Sequence, residues 1–541
     1  LHWQVSLKYS KAFQMLFLLF LLLPPFSSQL NVFVYVNIPG KSHLDFANTL
    51  VEKLAERGHE VDLAMARLNP AVLPVASPAA RHVIDINFPS SPWTHSSHLN
   101  SPFLDNPLEH QRVFTSIADF NLACEALCEC VLNSTELEEH LSSHVYDVAL
   151  VTAYDLCPHA LMHHHGVKKV LTFSPLPFTS WMSLFSGVPN LPAYRFDVIH
   201  SFNPFDPFSL IDRMYNFLRL VVTDVLDAAT MTANMETLFR SRFGPSFPSP
   251  AELGHRVAYE FVNSAELLDT PRPTSSRLRF IGGINVKPAK KITDEYYKRA
   301  LNGSDAGVVV VSFGSLVPGA NYPQNVIDAF LATFAAFSRY TFLWRFAGAK
   351  RPAAATANVH TVEWLPQNDL LNDPRIVAFI SHVGMNSFME ATTAGVPLVA
   401  VPLFADQNYN GDVVERLGTG VRVRKDHLNN ESLSDALGTV LRDERFRIRS
   451  REVAEMLRRQ PATPTRTFIE TLEFAAHFEE LHRHTLLDGA KLRFWQHYGY
   501  DAVVLMTLLA LLFSFFAYRL LFSVANSILN IFFAKIKRKL D

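Results

Sequence analysis

The chain has 541 residues, 48% apolar and 18% charged, with 49 Lys and Arg against 51 Asp and Glu. At about 150 residues per domain this length holds three to four units or two large ones. The formal charge of −2 excludes the basic surplus of a nucleic-acid binder, the composition excludes extended disorder, and four Cys are too few for a disulfide scaffold.

Ala12 to Leu23 is apolar except for Gln14, with Lys8 and Lys11 before it and Pro24-Pro25 after it. It is too short to span a bilayer, and its basic, apolar and small-residue zones predict a signal peptide over 1–28, cut near Ser28. Asn31–Asn37 (NVFVYVN) reads as a strand, Leu44–Arg57 as a helix and Glu60–Met65 as a second strand, a β-α-β start. Tyr146–Thr152 and Val167–Phe173 read as further parallel strands. Ser209–Arg242 lacks Gly and Pro and predicts one long helix. The inter-domain linker is expected within Asn285–Ala300.

The second half alternates more cleanly. Strands are expected at Val308–Phe313, Tyr340–Phe346, Val359–Trp364, Ile376–Ser381 and Val396–Val401, and helices at Gln324–Phe337, Gly384–Ala394 and Asn408–Leu417. This pattern predicts a doubly wound parallel sheet. The fold class is therefore α/β, two Rossmann-like domains facing a cleft.

Ala502–Tyr518 carries no charge, Arg519 interrupts, and Leu520–Ala534 is apolar again before a Lys-Arg-rich tail. That reads as a transmembrane helix with an aromatic belt at Trp495, Tyr498 and Tyr500. The basic tail places the C-terminus in the cytosol. With the signal, the expectation is a single-pass type I protein with a lumenal body. Lys537 and Lys539 resemble a dilysine retrieval signal of the endoplasmic reticulum. Asn133, Asn302 and Asn430 head glycosylation sequons. The division is then 1–28 signal, 29–285 first domain, 286–490 second domain with closing helices, 491–522 juxtamembrane segment and transmembrane helix, and 523–541 tail.

Chemistry concentrates between Trp364 and Gln407. His382 to Asn386 falls where a strand ends and a helix starts, the edge at which open α/β sheets bind ligands. Free N–H groups and the positive dipole end make an anion site there. Gly384 allows close approach, and His382, Asn386 and Ser387 add donors. Glu390, one turn on, suits a pair of sugar hydroxyls, Trp364 offers a flat face for a base, and Asp406-Gln407 suits further hydroxyls. The combination fits a nucleoside diphosphate carrying a sugar.

This stretch, with Phe313-Gly314-Ser315, Trp344-Arg345, Ile281-Gly282-Gly283, Ser42-His43 and the two apolar ends, resembles the UDP-glycosyltransferases, most closely the membrane-bound animal UDP-glucuronosyltransferases. The resemblance implies the GT-B fold and inverting transfer. It also implies that Trp364 stacks on uracil, Gln367 contacts uridine and Glu390 holds ribose. Ser315, Arg345, His382, Gly384, Asn386 and Ser387 would surround the diphosphate, and Asp406 and Gln407 the sugar. His43 would be the base that takes the proton of the acceptor hydroxyl. An acid usually orients that His; where many relatives carry it this chain has Thr152, and Asp155, three residues on, is the remaining candidate.

No metal and no cofactor are expected, UDP-sugar being a cosubstrate: the chain has no Asp-x-Asp, and His163-His164-His165 on a helix point in three directions. The partners expected are UDP-glucuronate or UDP-glucose, a small lipophilic acceptor on the first domain near Trp181–Phe208, and membrane lipid. Oligomeric state and disulfide pairing are not coded. The alternative is a non-catalytic UDP-sugar-binding or regulatory membrane protein without a working dyad, motivated by Thr152.

Overall fold

The computed structural model describes residues 29–95, 101–103, 109–188, 191, 194, 198–199, 208–348, 352 and 357–540. The expected signal peptide lies outside them, as does part of the Trp181–Phe208 segment.

Two parallel sheets organise the body. The first contains β1 (Asn31–Asn37), β2 (Glu60–Arg67), β3 (His82–Asn87), β4 (Val148–Thr152), β5 (Val170–Ser174), β6 (Glu260–Val262) and β7 (Leu278–Phe280), in the order β3-β2-β1-β4-β5-β6-β7. The second contains β8 (Val308–Ser312), β9 (Thr341–Arg345), β10 (Val359–Val362), β11 (Ile376–Ser381), β12 (Leu398–Ala400) and β13 (Gly420–Arg422), in the order β10-β9-β8-β11-β12-β13. Every pairing is parallel, for example Val34 with Leu63 and Leu150. The central strands are buried along their whole length, as VVVVS in β8 and IVAFIS in β11. Helices cover both faces, so continuous apolar runs replace alternation. Each sheet has the doubly wound order, which reverses between β1 and β4 and between β8 and β11. Crevices form at such reversals, and the two here open toward each other.

Three expectations change. Ser209–Arg242 is not one uniform helix: Leu210–Arg219 and Ala228–Phe243 are α-helical, and Leu220–Asp227 between them widens to a π-helix. Such widenings keep the helix continuous while shifting its faces. The closing segment of the second domain does not stay with it. Phe468, Leu472 and Ala475 of the Pro464–His477 helix join the apolar core of β1 and the Lys41–Arg57 helix. Arg57 Nε also pairs with Glu473 Oε1 at 2.7 Å. Finally, the C-terminal helix does not end near residue 522 but runs unbroken over Tyr500–Leu540. It contains no Gly or Pro to stop it, and Arg519 sits mid-helix without interrupting it. Its 41 residues extend about 60 Å at 1.5 Å each, roughly twice a bilayer core. None of the apolar window is buried within the body, as a membrane-spanning helix requires.

Cys128 and Cys157 form a disulfide between the Glu109–Leu132 and Cys157–His164 helices, while Cys124 and Cys130 are free.

Candidate active site

A cavity of about 810 Å³ occupies the crevice between the two sheets. Its walls include Ser315, Arg345, Trp364, Gln367, His382 and Gly384, and also Asn386, Ser387, Glu390, Asp406 and Gln407. His43 lines it from the first domain. Of the catalytic and UDP-sugar-binding residues expected from sequence, only Asp155 is absent from the walls.

β11 ends at Ser381, and the chain turns through His382, Val383 and Gly384 into the Met385–Ala394 helix. Val383 has φ +53°, and the other described non-glycine residue with positive φ is Ala405, also +53°, directly before Asp406. Backbone strain of this kind persists where surroundings over-determine it, characteristically at functional sites. Neither the Met385–Ala394 nor the Gln407–Leu417 helix has a side-chain cap at its N-terminus. The Met385 N–H is met by the Asp406 carboxylate and the Gln407 N–H by the Phe404 carbonyl, so the remaining first-turn N–H groups and the two positive dipole ends are what the cavity offers an anion.

His382 is wedged between two glycines. A Cβ on Gly314 would stand 2.6 Å from His382 Nε2, and one on Gly384 2.7 Å from it. Gly314 itself has φ +71°, which suits only glycine well. Burial, reinforced by the Arg345 guanidinium, pushes the His382 pKa down to about 4, so the imidazole is neutral at pH 7. Arg345 donates to the Gly314 carbonyl at 2.5 Å and lies 5.9 Å from the Trp364 ring centroid. Trp364 is 64% exposed, an open aromatic face at a cavity rim, while the neighbouring Trp344 is fully buried core.

Gln367 Nε2 donates to Glu390 Oε2 at 2.6 Å and to Ser387 Oγ at 3.1 Å. Burial raises the Glu390 pKa against that bond. Asp406 is 4% exposed; burial raises its pKa to about 6, opposed by the Asn410 amide, which donates to Oδ2 at 2.8 Å. Gln407 Oε1 accepts from the backbone of Leu403 and Phe404 at 2.8 and 3.1 Å, fixing that loop.

On the opposite wall His43 sits in the first turn of the Lys41–Arg57 helix, after the β1 end and Gly40. Its Nδ1 is 3.3 Å from Ser42 Oγ, and its ring packs 5.4 Å from that of Tyr154. Burial pushes its pKa down to about 4, leaving a neutral imidazole at pH 7. The structure does not bring Asp155 to it. Asp155 Oδ2 accepts from Asn37 Nδ2 and Oδ1 from the Cys157 N–H at 2.9 Å, so the carboxylate ties the end of β1 to the start of the disulfide-linked helix. Burial raises its pKa to about 6. Thr152 Oγ1 accepts from the Asn37 N–H at 3.2 Å. Asp147 lies at the far end of β4, accepting from Asn31 N at 2.8 Å.

Sequence reasoning missed Asn263 and Tyr154. Asn263 is fully buried after β6, donates to Asn386 Oδ1 at 3.1 Å, and so holds a cavity residue of the other domain. Asn386 Nδ2 in turn reaches the Ser42 carbonyl at 3.5 Å, beside His43. No sequence motif marks Asn263. The histidine run also converges more than helical spacing suggests: donor atoms of His164, His165 and Glu138 lie within 4.8 Å of one another, on the surface away from the cavity walls. His165 Nε2 is 3.3 Å from Glu138 Oε2, an ion pair when protonated.

Residues 35–534 match the family described as UDP-glucoronosyl and UDP-glucosyl transferase. A putative UDP-glucuronosyltransferase of Caenorhabditis elegans is 25% identical over 91% of this chain and 92% of its own length. Human UDP-glucuronosyltransferase 2A3 is 27% identical over 85% of this chain and 87% of its own. Mouse 2-hydroxyacylsphingosine 1-beta-galactosyltransferase is 26% identical over 88% and 85% respectively. Among solved structures, the calicheamicin glycosyltransferase CalG4 superposes with TM-score 0.53 at 18% identity, covering 82% of this chain and 98% of that one. Os79 from O. sativa, in complex with U2F and trichothecene, gives 0.55 at 18%, covering 82% and 99%.

Proposed function

The chain belongs to the UDP-glucoronosyl and UDP-glucosyl transferase family, and from that premise we propose that it transfers a sugar, with inversion, from UDP-glucuronate or UDP-glucose to a hydroxyl of a small lipophilic acceptor, with His43 as general base. The observation that carries this reading is the single crevice in which His43 faces the uncapped Met385–Ala394 helix, Trp364 and Asp406.

Each step has a residue suited to it. Uracil stacks on the open face of Trp364. The Gln367–Glu390 pair takes the ribose hydroxyls. The diphosphate lies against the two helix N-termini, with His382, Asn386, Ser387, Ser315 and Arg345 around it, and charge developing on the departing UDP is met there by oriented N–H groups. Asp406, held near neutral pKa by burial, and Gln407 take the sugar hydroxyls. His43 is neutral at pH 7 and, among the described residues, hydrogen-bonds to Ser42 rather than to a carboxylate, so it can accept the acceptor proton as the oxygen attacks the anomeric carbon from the face opposite UDP. Trp181, Phe120, Tyr154 and Ala228 line the first-domain side of the cavity, an apolar wall suited to a lipophilic acceptor. No metal is required, since the charge is met by the helix ends and placed donors.

A lumenal endoplasmic-reticulum setting is supported by the N-terminal signal pattern, the basic residues after the apolar helix and the Cys128–Cys157 disulfide, which persists in oxidising compartments. The alternative, a UDP-sugar-binding protein without transferase activity, is favoured by one observation: Asp155 is committed to Asn37 and Cys157 rather than to His43. The purified protein incubated with UDP-glucuronate, UDP-glucose and UDP-xylose, each with and without a phenolic acceptor, tests the proposal by UDP release. Acceptor-dependent release with UDP-glucuronate or UDP-glucose is expected. UDP-sugar binding without release from any of the three supports the alternative.

A further inference from the structure

A helix on a water-exposed surface turns its apolar stripe inward and its polar face to solvent. The Leu210–Arg219 helix does the reverse. Leu210, Ile211, Met214, Tyr215 and Leu218 are exposed, at 61, 78, 62, 47 and 60%, while Asn216 and Arg219 are buried at 5 and 3%. At about 100° per residue the five exposed side chains fall within one arc of roughly 140°. Neither Asp212 nor Arg213 is fully exposed, so the outward arc is apolar without interruption. Its place in the fold gives this inversion a meaning. Phe217, at the margin of the arc, packs edge-on against Tyr500 with ring centroids 5.5 Å apart and lies 6.4 Å from Phe494. Tyr500 is the first residue of the 41-residue apolar helix. Trp495, 50% exposed, stands at the same level. The apolar arc is thus continuous with the surface at which the chain enters the membrane.

We propose that the Leu210–Arg219 helix is a membrane-docking element, lying in the bilayer interface beside the point where the Tyr500–Leu540 helix enters, with the Leu210–Leu218 arc among the lipid acyl chains. An interfacial helix has this polarity, apolar residues toward lipid and the other face toward water or protein. A second lipid contact beside the spanning helix fixes the tilt of the body on the membrane. The same stretch continues through Leu220–Asp227 to Ala228, which lines the cavity, so it is the first-domain side of the crevice that is held against the bilayer. The docking does not depend on the glycosyl-transfer reading.

The test uses the full chain at one copy per lipid nanodisc, in a Cys130→Ser background that leaves only the buried Cys124 as a free thiol. Ile211→Cys and Met214→Cys are labelled with an environment-sensitive fluorophore; both side chains are exposed, so neither substitution removes a packed contact. Arg445→Cys is the comparison, since the Arg445 side chain is 90% exposed on the second domain. Lipids carry a nitroxide quencher high on the acyl chain. Several-fold stronger quenching at 211 and 214 than at 445, with blue-shifted emission, is expected. Quenching no stronger than at 445 overturns the proposal by placing the arc in water. Blue-shifted emission without lipid quenching overturns it too, by placing the arc against protein.

Discussion

Adding a single methyl group at Gly314 strikes the site at its most constrained point. The backbone there has φ +71°, and holding a residue with a side chain in the left-handed region costs about 1–2 kcal/mol. The new Cβ would also stand 2.6 Å from His382 Nε2 and 2.8 Å from Cε1, a clash that the imidazole must relieve by moving, at about 1–3 kcal/mol for an overpacked contact. Two other glycines separate these effects. Gly58 has φ +99° and nothing within 4 Å of its added Cβ, so Gly58→Ala carries the backbone cost alone. Gly384 has φ −58° and a Cβ clash of 2.7 Å with the same His382 atom, so Gly384→Ala carries the clash alone. Urea unfolding in detergent should show the loss for Gly314→Ala close to the sum of the other two, about 2–5 kcal/mol. Calorimetric UDP titration should show at least about tenfold weaker binding for Gly314→Ala and Gly384→Ala, the equivalent of one lost hydrogen bond, and unchanged binding for Gly58→Ala. UDP affinity within twofold of the parent in Gly384→Ala would refute the placement of the diphosphate against His382.

Trp364→Ala removes an aromatic face that is 64% exposed and meets Arg345 at 5.9 Å, so stability should hold within about 1 kcal/mol while UDP binds about 5- to 150-fold more weakly, the range of a base–aromatic stack of about 1–3 kcal/mol; equal UDP affinity would remove Trp364 from the uracil site. Acid should weaken the ligand-free protein at its buried histidines. Burial holds His43, His159 and His382 at about 4, 3 and 4, against about 6.5 in an unfolded chain. At these rings the unfolded state binds more protons below pH about 6.5, so their contribution is fully present above that value and is lost as pH drops toward 4, while buried Asp155 and Asp406, raised to about 6, and Glu260 and Asp412, raised to about 7, bind protons in the folded state and act in the opposite sense. The urea midpoint measured from pH 7 to 4 should therefore fall more, or rise less, in the parent than in His159→Leu; identical profiles would contradict the burial of the His159 ring. Replacing Cys128 and Cys157 together with Ala opens a loop of sequence separation 29, and unfolding free energy should fall by about 3–4 kcal/mol; an unchanged value would mean the two thiols are not paired.

The strands that position the site were legible because they are buried on both faces and read as unbroken apolar runs: β1 and β11 fall at the boundaries expected from sequence. β6, β7 and β13 were not, since three residues each give no period to read, and β3 is an edge strand whose HVIDIN pattern buries only Ile84 and Ile86. On the second-domain wall of the cavity, all the residues singled out from sequence except Ser315 and Arg345 lie in one stretch from Trp364 to Gln407, where local chemistry is readable without the fold. The opposite wall is assembled from separate places. Tyr154 follows β4, His43 follows β1, and Asn263 follows β6 yet holds Asn386 of the other domain. Only the closed sheets bring them together. Asp155 shows the limit in the other direction: by sequence it is the remaining candidate for His43, three residues after Thr152, but Asn37 and the Cys157 N–H claim both its oxygens. Likewise Glu138 meets His164 and His165 through tertiary packing that helical spacing cannot register.

The proposed transfer depends most directly on what His43 does. Acceptor-dependent UDP release by the purified full-length protein, compared between the parent chain and His43→Ala, isolates it. With His43 as base, the parent releases UDP from UDP-glucuronate or UDP-glucose, and release drops about 10²- to 10⁴-fold in His43→Ala, the usual worth of a general base, with UDP affinity unchanged. Release that survives in His43→Ala would contradict that role.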